Sequence, residues 1–267
     1  MKSKSVTGVA LVALMASAGG AMAIDMSSVN GFQYQKLWND FPTATSTVTN
    51  AFPSFGVRED FAAGTVGGFA NKHVGWLSND GGVTALTNNY HQSWTLSFSV
   101  RIDTAFGVGA PRREAGIEVH NPRNPVFGGW TDEGQVLIAS DGEVAVFGAA
   151  MPFTGLGNVY TLGTTAAVTF EYFAPGAVDA VKGAYRLTFA DAVTGVHSSG
   201  LKIWGNEGDA LYGINYGAKI GLKAQNQRNP FIDDFSDIQY SHVSVVPAPA
   251  ALGLLGLAGL VAGRRRR

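Results

Sequence analysis

Glu114 and Glu118 are the nearest approach to a paired-carboxyl motif, within Glu114-Ala115-Gly116-Ile117-Glu118. Glycoside hydrolysis needs two carboxyls about 5 Å apart for retention or roughly 6.5–9.5 Å apart for inversion. On a strand these two share a face but stand about 13 Å apart, at ~3.3 Å per residue. They are read as a solvated strand face, and no catalytic residue is assigned. The five histidines, His73, His91, His120, His197 and His242, fall in no metal or nucleophile motif. Each is expected at a surface or an edge. There is no Gly-x-Ser-x-Gly elbow and no His-x-x-x-His pair. The chain has no cysteine, which excludes disulfides, zinc-thiolate sites and thiol catalysis.

Aromatic rings offer a different chemistry, stacking on sugars. Trp76, Trp94, Trp130 and Trp204 are the candidates, with Asn and Asp to bond hydroxyls. Trp94 alternates in phase with an apolar face and belongs to the core. Trp130 follows the exposed excursion Asn121-Pro122-Arg123-Asn124-Pro125, so Trp130 and Asn124 are the candidate ligand contacts.

The elements that must position these residues are strands. Trp94, Leu96, Phe98, Val100 and Ile102 alternate with polar residues, which predicts a strand with one buried face. Shorter alternations occur at Ile117 and Val119, at Val168 to Tyr172, at Tyr185 to Phe189, and at Ile220 and Leu222. Val136 to Ala139 and Val144 to Phe147 flank Ser140-Asp141-Gly142-Glu143, a hairpin with both faces apolar that suggests a central position between layers. Phe235, Ile238 and Tyr240 belong to a last strand whose alternation a one-residue bulge would restore. No helical period of useful length appears between the ends. The predicted fold is all-β, a two-sheet antiparallel sandwich.

Hydrophobic residues make up 46% of the 267 residues, enough for a core, and charged residues only 15%. The formal net charge is -1, so nucleic acid is not an expected partner.

The ends read as targeting segments. Lys2 and Lys4, the apolar run Val9 to Met15 and Ala21-Met22-Ala23 form the three parts of a secretory signal, with cleavage expected after Ala23. At the other end Val246-Pro247-Ala248-Pro249 precedes an apolar run, about 14 residues long and short of the ~20 that span a bilayer, and then Arg264, Arg265, Arg266 and Arg267. The arginines would stay on the cytoplasmic side. This plan resembles the PEP-CTERM sorting domain, with Ala248 in place of the central Glu. The resemblance implies a transmembrane helix before processing, an exosortase as partner besides signal peptidase, and delivery to the envelope or extracellular matrix of a Gram-negative-type bacterium.

Two segments carry a second resemblance. Arg58-Glu59-Asp60-Phe61, with Trp76 and Asp80-Gly81-Gly82 after it, and Phe231-Ile232-Asp233-Asp234-Phe235 are similar to jelly-roll domains of the concanavalin A/laminin-G type. The resemblance implies that the two segments are neighbours. It also implies a structural calcium held by Asp60 and Asp234, with Asp233 or Glu59 assisting. Other members carry a Glu-x-Asp-x-x-Glu catalytic strand, which is missing here.

The resulting organisation is a signal peptide with its helix over 1–23, a polar lead-in over 24–56 with at most one strand, a sandwich over 57–245, and a sorting tail with a hydrophobic helix over 246–267. The expected function is a non-enzymatic structural, adhesive or carbohydrate-binding role at the cell surface. The alternative is a glycoside hydrolase-like enzyme on the same fold.

Overall fold

The computed structural model describes residues 26–65, 67–87, 92–105, 111–120, 132–148, 151–204, 218–228 and 233–247. The predicted helices of the two ends lie outside them. Among the described residues, no helix is long and apolar enough to cross a membrane. After a short turn at Met26–Ser28 the strands are β1 (Gly31–Asn39), β2 (Thr45–Ala51), β3 (Ser54–Phe61), β4 (Asn71–Ser78), β5 (Trp94–Thr104), β6 (Arg113–His120), β7 (Asp132–Ala139) and β8 (Glu143–Phe147). Then follow β9 (Thr154–Asn158), β10 (Ala166–Phe173), β11 (Ala184–Asp191), β12 (Gly195–Ser198), β13 (Lys202–Ile203), β14 (Lys219–Asn226) and β15 (Asp234–Pro247).

They form two sheets. One has seven strands in the order β1-β4-β14-β6-β7-β8-β9. The other has eight, ordered β12-β11-β10-β5-β15-β3-β2 with β13 beside β11. Every pairing is antiparallel. The fold is therefore the expected all-β two-sheet antiparallel sandwich. Strand β5 alternates buried and half-buried along most of its length, as its period-two pattern requires.

The core between the sheets is apolar at one end. Trp94, Phe170, Tyr172, Tyr185 and Trp204 pack there, with Phe170 and Tyr185 stacked at 5.8 Å and Tyr185 edge-on to Trp204 at 5.9 Å. Further along, the Tyr240 hydroxyl crosses the core. It accepts from the Gly116 N–H at 2.6 Å and donates to the Lys223 carbonyl, joining β15 to β6 and β14.

The predicted 140–143 turn forms, with Gly142 at φ 99°, where a side chain is strained. Strand β8 is buried on both faces, as its composition suggests, yet it lies second from the sheet edge. Three expectations need correction. The segment 24–56 is no lead-in, because it supplies β1, β2 and the start of β3. Its small polar residues suit an edge strand, and nearly all of β2 is exposed. In β15 the alternation from Asp234 to Tyr240 is regular with Phe235 outward, and the bulge falls between Ser241 and Ser244. Finally, β15 extends past residue 245. Val246 and Pro247 pair with Thr95 and Trp94, so the tail motif begins on the sheet.

Candidate functional site

The outer face of the seven-stranded sheet gathers most of the unusual side chains. Cross-strand register sets Gln33, Trp76, Gly221, Glu118 and Gln135 in one row, and Gln35, Val74, Lys223, Gly116 and Leu137 in the next. A third row holds Trp38, Lys72, Gln225 and Glu114. Trp38 reaches this face through a bulge. Phe32, Tyr34 and Lys36 point into the sandwich, and the register shifts by one residue between Lys36 and Trp38. Were Leu37 paired and the alternation unbroken, Trp38 would point inward. The Trp76 ring lies over Gly221, where a β-carbon would come within 2.9 Å of Trp76 Cε3. Glycine is needed there for the ring to lie flat.

Charge on this face is compensated. Lys72 Nζ donates to Glu118 Oε1 at 2.5 Å, and both side chains are almost fully buried. Lys72 Nζ also lies 4.7 Å from the Trp38 ring centroid, a cation–π contact. Lys223 bonds Gln135 and lies 3.8 Å from Glu114. Gln225 Nε2 donates to Glu114 at 2.8 Å, and Arg112 joins Glu114 to Asp141 and Glu143. Trp76 Nε1 donates to Gln35 at 2.9 Å, and its ring centroid is 5.8 Å from that of His120. The centre is closed, since Trp76, Lys72, Glu118 and Lys223 are buried. Gln33, Gln35, Trp38, His120 and Gln135 keep partial or full exposure around it. Glu114 and Glu118 do share a face, as expected, but they are ion-paired rather than solvated.

The calcium pair does not form. Strand β3 does pair with β15, so the two similar segments are neighbours as the resemblance implies. Phe61 opposes Asp234 and Asp60 opposes Phe235, which sends the two Asp side chains to opposite faces. Asp60 is half-exposed and bonded by Arg58 at 2.7 Å, whereas Asp234 is buried against Arg113 between the sheets. Asp233 accepts from the Ala63 N–H. Asp60, Asp233 and Asp234 border a depression of about 410 Å³, but their carboxylates do not converge. Among the described residues no group of three or more ligating side chains could hold a metal ion. These residues do not fit the implied calcium, since an Arg already engages each member of the pair.

Glu59, expected to assist that ion, instead organises the polar end of the interior. It is fully buried and accepts from Ser46 Oγ at 2.8 Å, Asn71 Nδ2 at 2.8 Å and Asn226 Nδ2 at 2.9 Å. His73 Nε2 lies 2.9 Å away and Lys36 Nζ 3.4 Å. Burial opposes the charge, but the His73 contact and the Asn226 and Asn71 bonds overcome it and hold the carboxyl down at about 2. His73 is therefore a core residue and not the surface one expected. His242 is exposed in the β15 bulge, as expected, and His197 lies on the edge strand β12.

Trp76 and Trp204 are buried, so neither offers a ring to a ligand, and Trp94 is core. Trp130, Asn124 and His91 lie outside the described residues, as do Ala21, Ala23, Ala248, Pro249 and Arg264 to Arg267. Sequence reasoning missed Trp38. The spacing of Phe32, Tyr34 and Trp38 signals a strand, but no single-residue pattern announces the bulge that turns Trp38 outward.

No protein-family model matches the sequence, and no curated protein matches it. Solved structures of similar architecture include a substrate complex of a family 7 alginate lyase variant, at 12% identity over 84% of this chain and 94% of that one, TM-score 0.48. A seed lectin from Lotus tetragonolobus is 8% identical over 83% and 100%, TM-score 0.46. A PL-14 alginate lyase from Aplysia kurodai is 10% identical over 79% and 89%, TM-score 0.43. Likenesses this distant leave function to the residues of this chain.

Proposed function

We propose that this chain is an exported, non-enzymatic surface protein that binds carbohydrate on the outer face of its seven-stranded sheet, within a concanavalin A-like jelly roll. One observation carries the binding reading. Half-exposed Trp38 stands with the amides of Gln33, Gln35 and Gln135 and the ring of His120 around a closed, charge-compensated centre. A flat ring beside fixed amides suits a sugar, whose apolar face stacks while its hydroxyls exchange hydrogen bonds. Trp130 and Asn124, the ligand contacts expected from the sequence, belong to the same proposal. The ion pairing of Glu118 with Lys72 and of Glu114 with Arg112 argues against a glycosidase pair, because a general acid must carry a proton to donate.

Export and sorting belong to the same proposal. Signal peptidase would release Ile24, and a PEP-CTERM-type exosortase would act near Pro247-Ala248-Pro249. Intact mass of the protein recovered from native cells checks both ends; a mass that retains Arg264 to Arg267 rejects processing of the tail.

Binding is tested with the purified full chain against a polysaccharide panel, with released reducing ends followed in parallel. Saturable binding, weakened at least about tenfold by Trp38→Ala, is expected without release of reducing ends; this corresponds to about 1.4 kcal/mol. Unchanged affinity in Trp38→Ala would remove this face from the account. Catalytic release of sugar would favour the hydrolase alternative.

A further inference from the structure

The interior polar cluster contains a chain of groups that runs from the partly exposed Tyr34 to the fully buried Glu59. Tyr34 Oη and His73 Nδ1 share a hydrogen bond at 2.8 Å, and His73 Nε2 lies 2.9 Å from Glu59 Oε1. In the neutral ring, a proton on Nε2 would face the carboxylate and leave Nδ1 to accept from the phenol. Ser46, Asn71 and Asn226 fix the orientation of Glu59 in turn. A hydroxyl, an imidazole within hydrogen-bond reach, and a third group that orients the imidazole are the parts of an activated nucleophile. His73 and Glu59 are buried, whereas Tyr34 is 36% exposed. Tyr34 sits on β1, which ends its sheet, and Ser46 on β2, which ends the other, so the relay opens at the edge where the sandwich is not closed.

We propose that Tyr34, His73 and Glu59 form a nucleophilic relay that makes the Tyr34 hydroxyl a covalent acyl-acceptor site for ester-bearing partners. In the step, Tyr34 Oη attacks the ester carbonyl while His73 Nδ1 takes its proton. The imidazolium is stabilised by Glu59 and returns the proton to the departing alkoxide or phenoxide. The new bond is Oη–acyl carbon, the broken bond is acyl carbon–leaving oxygen, and no redox partner is involved. Burial and the Glu59 carboxylate push the Tyr34 phenol up, so the hydroxyl is not ionised beforehand and depends on His73 for deprotonation during attack. The product is one acylated tyrosine per chain, a modification rather than turnover. The site lies on the opposite face of β1 from Trp38 and does not depend on the glycan reading.

The test is acetylation of the full chain by p-nitrophenyl acetate, mapped by peptide mass spectrometry. Neutral hydroxylamine separates tyrosine esters, which it cleaves, from lysine amides, which it does not. Tyr34 is expected to acetylate at least about 100-fold faster than N-acetyltyrosinamide in the same buffer, the lower range of general-base assistance. Tyr34→Phe is expected to abolish the hydroxylamine-labile label on that peptide, and His73→Gln to reduce the rate to that of the free analogue. Wild-type labelling no faster than N-acetyltyrosinamide would overturn the proposal, as would an unchanged rate in a folded His73→Gln variant. If His73→Gln does not fold, the wild-type ratio and Tyr34→Phe still decide.

Discussion

Acid stability reports directly on Glu59. Its carboxyl is held at about 2 against an ordinary 4.5. At about 1.36 kcal/mol per pH unit, that gap makes the folded state about 3 kcal/mol more stable with Glu59 ionised. The folded-state value is depressed, so the contribution is fully present above pH about 4.5. It falls away as pH drops towards about 2, where protonation removes the acceptor for Ser46, Asn71, Asn226 and His73. The measurement is urea unfolding of the wild type and of Glu59→Gln at a series of pH values from 7 to 2. Gln keeps the size but cannot titrate. Other carboxylates, including Asp191, which accepts from Thr161 and Thr164 and is also held at about 2, titrate in both proteins and cancel in the difference. The wild type is expected to lose about 3 kcal/mol more than the variant over that range. Parallel curves would show that Glu59 carries no depressed titration, and the network drawn around it would then be wrong.

Asp234→Ala leaves the Arg113 guanidinium buried without its carboxylate and is expected to cost about 3–5 kcal/mol in urea unfolding; Arg113→Met with Asp234→Leu together should recover most of the loss. A chelator should leave the thermal midpoint of the full chain unchanged, because Arg113 and Arg58 already engage the two aspartates proposed for calcium; a drop would locate an ion elsewhere. Deleting Leu37, the unpaired residue of the β1 bulge, should leave Lys36 inward and Trp38 outward, so glycan binding should survive a deletion within a strand.

How far the sequence could be read depended on whether neighbours along the chain or across it set the structure. The alternation from Trp94 to Ile102 needs only its own strand, and it emerged as written. The same holds for the Asp141-Gly142 turn. Strand β2 was harder, since an edge strand exposed along its length carries no apolar period to detect. The buried charges were harder still. Lys72, Glu118, Arg113, Asp234, His73 and Glu59 look like surface residues one at a time, and each is stable inside only because a partner between 12 and 121 positions away meets it. Period-two pattern marks such positions as inward or outward but cannot say which charge will find which.

This dependence on partners explains why β1 became the informative strand. Charges in the middle of the sheet neutralise one another, Lys72 with Glu118 and Lys223 with Gln135 and Glu114, leaving little to offer a ligand. At the sheet edge the polar side chains and the rings of Tyr34 and Trp38 are partly or fully exposed rather than buried. Strand β1 is such an edge, and its alternation divides its side chains between two environments. Gln33, Gln35 and Trp38 face outward beside Lys72, while Tyr34 and Lys36 face inward towards Glu59. Both functional proposals therefore rest on one nine-residue strand, whose alternation serves both faces and whose bulge at position 37 sets Trp38 on the outer one.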